Sequence, residues 1–398
     1  MSLVSIATRA NMATSTTIHR PWNQYRPSYK ATGGIMPDDH AILVGIARYQ
    51  DAEHYPPLGG PLNDVDNIYR WLRSPGYDLP EANIQRLVTD QSLIEPEPGA
   101  MLSWQPSTSQ FADTFKRVTY EGPMIRRRDG RLYLYFSGHG FSMLGDKTTR
   151  AALYGADCSS DYPGNLPGSL YAEAAKRTGM FREIVLFMDC CRDAVSEMEY
   201  ALPQITSTEV EDAESVKVLA IYAAPKRGKA HERELPDTKG RVVGLATHAW
   251  LRALQETPCD ILGQVAASQL KQFMINAWNQ WYPTGSAPSP RFVMPEEEDL
   301  LFQSNRPLVN QMFRLGEQWV AGDRFRLRAE LQCIMGTVDD HGIKWDDQIL
   351  IRAYRSDWSG TAGAERQFEL RLSASAYTLM FEGGTLDFTP GAQHVIEI

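Results

Sequence analysis

The chain has little basic charge for its size, no long apolar run and few cysteines, and each shortage excludes a class of protein. Its 398 residues include 40 Lys or Arg against 49 Asp or Glu, which gives a formal net charge of −9. That balance argues against the broad basic surface with which proteins neutralise nucleic-acid phosphates. The longest apolar runs, such as Ala41 to Ala47, are far shorter than the roughly 20 residues that cross a bilayer. We therefore expect neither a nucleic acid nor a membrane as a direct partner.

The five cysteines are too scattered for a disulfide framework or a zinc site, since no CxxC pair occurs among them. Two of them, Cys190 and Cys191, are neighbours, and a redox-active disulfide between them is one alternative. Free thiols suit a reducing compartment, where one activated cysteine can act as a nucleophile. The N-terminal residues have no unbroken apolar stretch after a basic start, so no secretory signal is expected. We expect a cytoplasmic protein.

The length and the sequence pattern predict two folded domains after an N-terminal arm. Residues 1–38 are polar, show no helical or strand periodicity and are predicted to form a mobile arm. Residues 39–301 form the predicted first domain. It ends in a segment rich in proline and acidic residues, YPTGSAPSPRFVMPEEED, which is typical of a boundary. Residues 305–398 form the predicted second domain.

Predicted strands and helices alternate through the first domain. Apolar runs predict strands at 41–49, 84–88, 131–136, 184–188 and from 216 onwards. Amphipathic stretches predict helices from about 62, at about 108–120, 170–178, 243–254 and 261–281, before a last short strand near 291–294. This order is typical of an α/β fold with a mostly parallel sheet flanked by helices.

Beyond residue 305 the hydrophobic period changes to two. Phe325 and Leu327 alternate with Arg326 and Arg328, and QILIRAY and QFELRLSAS show similar alternation. A period of two with one polar face is typical of antiparallel sheet. The second domain is therefore predicted to be a small antiparallel β-sandwich, which docks a partner or a substrate.

Chemically active residues follow two of the predicted strands. The strand RLYLYF runs into Ser137-Gly138-His139-Gly140, and the strand EIVLFM runs into Asp189-Cys190-Cys191-Arg192. The carboxyl ends of parallel strands line the crevice where ligands bind in open α/β sheets. An imidazole and a thiol at two such ends can therefore meet.

A His and a Cys that meet can perform nucleophilic catalysis. A thiol is mostly protonated at neutral pH, so an imidazole must take its proton or stabilise its thiolate before attack on a carbonyl. The glycines beside His139 allow a tight turn and a close approach to substrate. The amide of Gly140, with the amide of Cys191 as a second donor, is predicted to form an oxyanion hole.

The SGHG block after one strand and the D-x-C-R block after the next resemble those of the caspase and metacaspase peptidases, including their bacterial relatives. The caspase His lies about 50 residues before its Cys, and here the separation is 191 − 139 = 52. Leu62-Asn63-Asp64 is similar to the asparagine-aspartate block of metacaspases. The resemblance implies a caspase-like fold over residues 39–301 and a cysteine endopeptidase with a dyad of His139 and Cys191.

The same resemblance implies that Asp64 and Asp189 form the acidic floor of the S1 pocket. Paired carboxylates favour a substrate Arg or Lys, because a buried cation needs opposite charge and acceptors. Two departures from the metacaspase pattern stand next to the nucleophile: Cys190 replaces Ser, and Arg192-Asp193-Ala194 replaces His-Ser-Gly. Cys191 is assigned as the nucleophile because it occupies the third place of the block, and strand alternation then directs Cys190 towards the core.

Each assignment has a structural alternative. Asp64 could offset a helix dipole from the first turn of its helix, and Asp189 could fix a loop through backbone amides. The His and the Cys could be ordinary turn and core residues, and a degenerate relative could keep the fold as a catalytically silent scaffold that binds a partner protein. Asp-Asp-His sequences at His40 and His341 look like turns, so no metal and no cofactor is assigned. Calcium is considered only because the resemblance to metacaspases, many of which are activated by calcium, implies it as an option.

Two loops after the nucleophile are candidates for control of activity. Residues 196–215 become acidic towards their end and correspond to the linker that caspases cut on maturation. Residues 226–241 are basic, so an Arg-directed enzyme could cut itself there or be cut by a partner. The predicted partners are a protein substrate and an upstream activating protease or sensor. By analogy with bacterial relatives, the setting is a defence or cell-death pathway.

Overall fold

The structure is a computed structural model of the 398-residue chain. It describes residues 38–74, 77–89, 104–196, 198–205, 210, 213–260, 263–283, 287–296, 299–304, 308–316, 318–328, 333–339, 342–345, 354–357, 366–373, 376–393 and 395–398. The predicted N-terminal arm therefore lies outside the described residues apart from residue 38. The domain boundaries at 39–301 and 305–398 stay predictions.

The first part of the chain contains five α-helices, two short 3-10 helices (Glu81–Asn83 and Ala213–Ser215) and sixteen strands among the described residues. The helices are α1 (Pro61–Leu72), α2 (Thr108–Thr119), α3 (Gly168–Arg177), α4 (Leu245–Glu256) and α5 (Ala267–Trp281). The strands are β1 (His40–Gly45), β2 (Ile84–Val88), β3 (Tyr120–Glu121), β4 (Met124–Ile125), β5 (Arg128–Gly138), β6 (Gly140–Met143), β7 (Ala152–Tyr154), β8 (Asn165–Leu166), β9 (Phe181–Cys190), β10 (Asp193–Val195), β11 (Lys217–Tyr222), β12 (Glu232–Glu234), β13 (Val242–Gly244), β14 (Gln264–Ala266), β15 (Arg291–Val293) and β16 (Leu301–Gln303).

A six-stranded sheet forms the centre of this part, in the order β15-β11-β9-β5-β1-β2. All neighbouring pairs are parallel except β11 with β15, which is antiparallel. The prediction of a mostly parallel sheet is therefore confirmed. The first strand ends at Gly45 instead of continuing to Tyr49, and α5 begins at Ala267 because residues 264–266 pair with β16 instead.

Helices cover both faces of the sheet, as its apolar strands require. On one face, Tyr133 and Tyr135 of β5 and Val185 and Phe187 of β9 pack in a core with α1, α4 and α5. Their neighbours in sequence point to the opposite core, which contains residues of α2 and α3. Alternate residues of β5 and β9 therefore pack against opposite layers of helices.

The C-terminal part consists of two antiparallel sheets that share one core. Its strands are β17 (Leu308–Leu315), β18 (Arg324–Arg328), β19 (Cys333–Asp339), β20 (Gly342–Trp345), β21 (Tyr354–Asp357), β22 (Arg366–Ser373), β23 (Tyr377–Phe381), β24 (Gly384–Phe388) and β25 (Val395–Glu397). The sheet orders are β21-β22-β17-β25 and β20-β19-β18-β23-β24, and only β17 with β25 is a parallel pair. Phe325, Leu327, Phe368 and Leu370 lie in the core between them, as the period of two predicts. No helix in the described part of the chain is long and apolar enough to cross a membrane.

Candidate active site

Register pairs of parallel strands flank His139 and Cys191 on both sides. On one side of them the register pairs Gly138 of β5 with Cys190 of β9. On the other side it pairs Phe141 of β6 with Asp193 of β10. Both pairs have the same offset of 52 residues, because 190 − 138 and 193 − 141 are equal. The spacing observed in the sequence is therefore the register of the two segments, and it brings position 139 to position 191.

A side-chain hydroxyl and a backbone carbonyl from the loop after β1 hold His139. Its amide donates to the hydroxyl of Tyr49 at 2.7 Å, and that hydroxyl donates to the Ile46 carbonyl. The ring nitrogen Nε2 lies 2.8 Å from the carbonyl oxygen of Pro56. Because a carbonyl only accepts, this contact places the ring proton on Nε2 and leaves Nδ1 able to accept a proton.

Gly138 is the residue that lets this arrangement form. Its φ is +154°, and a Cβ there would lie 2.5 Å from a methyl carbon of Leu153 and 2.7 Å from the Tyr49 hydroxyl. A larger residue would push Tyr49 away from the His139 amide. The glycine before the histidine thus has a steric reason as well as a conformational one.

Cys191 is half-buried, and its thiol is engaged by a loop. Sγ donates to the carbonyl oxygen of Ala230 at 3.7 Å. Burial raises the pKa of the thiol, Asp193 and Asp189 also raise it, and Lys229 lowers it. The described conformation therefore favours the protonated thiol, and the Ala230 contact must be released before the sulfur can attack a substrate.

Cys190 points in the opposite direction. It belongs to the core that contains Met188 and Leu186, and burial raises the pKa of its thiol strongly. A Cβ on Gly140 would lie 2.6 Å from its Sγ, so the sulfur fills the space beneath that glycine. Because successive side chains of a strand point to opposite faces of the sheet, position 191 is on the same face as Asp189, and Cys190 is on the other face.

The amide of Gly140 points towards the segment of Cys191. Gly140 is opposite Leu153 of β7, and the Tyr154 amide donates to the His139 carbonyl across this pair. That pattern marks a pair without mutual hydrogen bonds, in which the Gly140 N–H points away from β7. β10 lies on that other side of β6. The orientation is compatible with the predicted oxyanion donor.

Asp64 and Asp189 come together beneath the strand ends, although 125 positions separate them in the sequence (189 − 64). Asp64 lies in the first turn of α1 and is 1% exposed; Asp189 is the residue before the last of β9 and is 5% exposed. A Cβ on Gly244 would collide with carboxylate oxygens of both, so the two carboxylates converge on this glycine.

Neutral donors satisfy the two carboxylates. Asp64 accepts from the Gly244 amide at 2.9 Å and from the Ser137 hydroxyl at 3.1 Å. Asp189 accepts from the Thr247 hydroxyl at 2.5 Å and from the Thr247 amide at 3.1 Å. Neither forms an ion pair with a cation of the described residues. Burying such charges is costly unless a cation offsets them.

The electrostatics of the pair follow from that burial. Burial, and then the charge of Asp189, raises the pKa of Asp64 well above its usual value. Burial raises the pKa of Asp189 to about 6, against the opposing hydrogen bonds from Thr247. A cation placed between the two carboxylates would lower both pKa values.

The structural alternatives for the two aspartates are compatible with part of this geometry. Asp189 does accept a backbone amide, that of Thr247, as the loop-fixing alternative requires. Asp64 accepts from Gly244 and Ser137, which belong to other elements. An acid needed only for the dipole of α1 would not have to lie against a second carboxylate.

Glu232 is a third acid near the pair that the sequence alone did not single out. Its two oxygens accept from the amides of Gly59 and Gly60, both at 2.9 Å, just before α1. Its charge acts on both Asp64 and Asp189. Glu232 faces Gly244 in the β12–β13 pair, so this hairpin forms a wall beside the carboxylates.

Among the described residues, no group of three or more His, Cys, Asp or Glu could hold a metal ion. In the first Asp-Asp-His sequence, His40 contacts the carbonyl of Asp38, and Asp39 accepts from the Arg131 amide. The second sequence, at residues 339–341, lies largely outside the described residues.

Residues 38–257 match the sequence model of one family, described as the caspase domain. The match covers more than half of the 398 residues and contains every residue of the site described above. A comparison with curated proteins finds no match.

Proposed function

Because the chain belongs to the family of caspase-domain cysteine peptidases, we propose that it is an endopeptidase that cuts proteins after Arg or Lys with a dyad of Cys191 and His139. The observation that carries the proposal is the common register on both sides of the dyad. It supports the proposal because it gives residues 139 and 191 facing backbone positions at the carboxyl end of the sheet.

In the proposed reaction, Nδ1 of His139 accepts the proton of the Cys191 thiol. The thiolate then attacks the carbonyl carbon of the scissile bond, and the bond to the leaving amine breaks as His139 returns the proton to it. The amides of Gly140 and Cys191 stabilise the negative oxygen of the intermediate. Water then hydrolyses the thioester, and the free thiol is restored.

Specificity for a cation is proposed on the basis of the two buried carboxylates. Asp64 and Asp189 are buried without a basic partner in the described part of the chain. A cationic side chain of the substrate would supply that partner. The planar guanidinium of Arg can bind two carboxylates through several N–H groups at once, whereas Lys offers one ammonium group. Arg is therefore expected to be preferred to Lys.

A panel of fluorogenic peptides that end in Arg, Lys or Asp tests the function. We expect hydrolysis of the Arg peptide, weaker hydrolysis of the Lys peptide and none of the Asp peptide, measured as kcat/KM. Cleavage after Asp would reject the acidic pocket and leave the dyad intact. An absence of cleavage of every peptide, also after limited proteolysis and with calcium added, would reject the peptidase.

A catalytically silent scaffold is the second candidate, and one observation favours it. The thiol of Cys191 has a raised pKa and donates to Ala230 instead of to His139. In a scaffold this contact would be permanent, whereas in an enzyme it would be released by substrate or by processing. The same peptide panel separates the two candidates.

Processing in the basic loop is part of the proposal. Arg227 and Gly228 exchange backbone hydrogen bonds with Arg192, so residues 226–230 lie directly against the nucleophile. We expect purified wild type to acquire new chain ends after Lys or Arg within residues 226–241, and Cys191→Ala to lack them. Mass spectrometry of the two proteins gives the result, and identical fragments would contradict self-cutting. A role in bacterial defence or cell death, downstream of a sensor or protease, is proposed by analogy alone.

A further inference from the structure

The outer face of the five-stranded C-terminal sheet carries a row of arginines. Arg324, Arg326 and Arg328 lie on β18, at the centre of the sheet, and all three are exposed. Their neighbours Phe325 and Leu327 are buried in the core on the other side. The arginine face is defined here by these three residues with Met335, Met380 and Lys344.

No ion pair offsets the positive charge of this face within the described part of the chain. None of the three guanidinium groups forms an ion pair with a described residue. Asp387 is on the same face, but it lies two strands from Arg328 and accepts from the Thr378 hydroxyl at 2.6 Å. Lys344 of β20 adds another exposed cation, across Thr337 from Arg324.

Such a row is unfavourable in the isolated protein. Like charges at alternate positions of one strand are only about 6.6–6.8 Å apart and repel one another. The chain as a whole has a net charge of −9, so the face is a local reversal of the overall sign. An anionic partner would relieve the repulsion, and complementary charge would also direct its approach.

The spacing of the arginines indicates the form of that anion. In an extended peptide, side chains at alternate positions repeat with the same period of about 6.6–6.8 Å. Asp or Glu at every second position could therefore face Arg324, Arg326 and Arg328 in register. Each contact would be a charge-assisted hydrogen bond, two-pronged where the geometry allows.

We propose that the arginine face binds an extended acidic segment of a partner protein. Met335 and Met380 lie opposite Arg326 on the two adjoining strands, so flexible apolar side chains flank the central guanidinium. They suit the aliphatic parts of a peptide. The defined face has no aromatic ring for base stacking, and the acidic chain repels polyphosphates, so a protein segment is favoured over single-stranded nucleic acid.

The test uses the full chain with Cys191→Ala, to exclude hydrolysis, and a synthetic peptide of alternating Thr and Glu. We expect the Cys191→Ala protein to bind this peptide when its arginines are intact. Adding Arg324→Gln/Arg326→Gln/Arg328→Gln should weaken binding at least tenfold. The matched control, Arg70→Gln/Arg126→Gln/Arg182→Gln, removes the same charge from other exposed positions and should leave affinity within twofold. Binding is measured by fluorescence anisotropy, with melting temperatures as the check of folding.

Three results would overturn the proposal. The first is no binding of the peptide by the protein with its arginines intact. The second is equal loss in both triple variants, which would assign the effect to total charge. The third is tighter binding of a single-stranded oligonucleotide than of the peptide, which would make the face a nucleic-acid site.

Discussion

Cys191→Ala is expected to lower kcat/KM for the Arg peptide by about 10⁴-fold or more, whereas Cys190→Ala retains activity within about tenfold. Loss of the nucleophile removes the covalent pathway. In other peptidases with a covalent intermediate, the same kind of substitution lowers the rate by a factor of this order or more. Cys190 faces the core behind β9 and cannot reach a substrate over the opposite face without reversal of the strand. The measurement is the initial rate of hydrolysis for wild type and the two matched variants.

The pair of variants also controls for folding, because both make the same change at adjacent positions. Thermal melts should show Cys190→Ala as the less stable protein, since its sulfur is packed against Gly140 in the core. The opposite activity pattern, an inactive Cys190→Ala beside an active Cys191→Ala, would move the nucleophile to Cys190. It would also show that side-chain parity at the end of β9 differs from that of the structure.

The sequence was sufficient to predict the parts of the fold that depend on local pattern. Continuous apolar runs predicted β5 and β9, and a period of two predicted the C-terminal sheets, because both signals arise within one segment. The family resemblance drew attention to the separation of 52 residues between His139 and Cys191. The structure explains this number, because 52 is also the offset between the paired residues of the two segments. Two parallel strands that end together bring the backbones of the residues that follow them to facing positions.

Other parts of the site could not be predicted from the sequence because they are made by tertiary contacts. The Pro56 carbonyl at His139 and the Ala230 carbonyl at Cys191 are backbone groups, which no residue type identifies. Thr247 reaches Asp189 from 58 positions away. Glu232 resembled any acidic residue of an exposed loop until its hydrogen bonds to the start of α1 were known.

Asp189→Asn is expected to lower kcat/KM for the Arg peptide by roughly 150- to 5,000-fold, since the loss of one partner of a buried ion pair costs about 3–5 kcal/mol. Asn keeps the size of the side chain and can still accept from Thr247, so the change removes charge with little change of shape. The wild-type kcat/KM should rise with pH through about 6, as Asp189 ionises in the free enzyme. In kcat the same step should lie at lower pH, because a bound cation favours the carboxylate.

The same variant should be more stable than wild type at neutral pH. The pKa of Asp189 is higher in the folded protein than in the unfolded chain, so the folded state binds its proton more tightly. Wild type is therefore most stable below the unfolded pKa, loses stability as the pH rises towards about 6, and has lost up to ~3 kcal/mol above it. Asn does not titrate, so the advantage of the variant should grow between pH 4 and 7 in chemical denaturation.

The kcat/KM and the stability of Asp189→Asn together show whether Asp189 binds substrate or has only a structural role. If Asp189 only fixed a loop, Asn would leave the Arg peptide a good substrate, and that result would reject the pocket. Asp161→Asn, which removes an exposed carboxylate, serves as the control and should change neither quantity. Lower activity joined to higher stability is expected only where a charge is buried for a ligand, because a damaged fold would lower both.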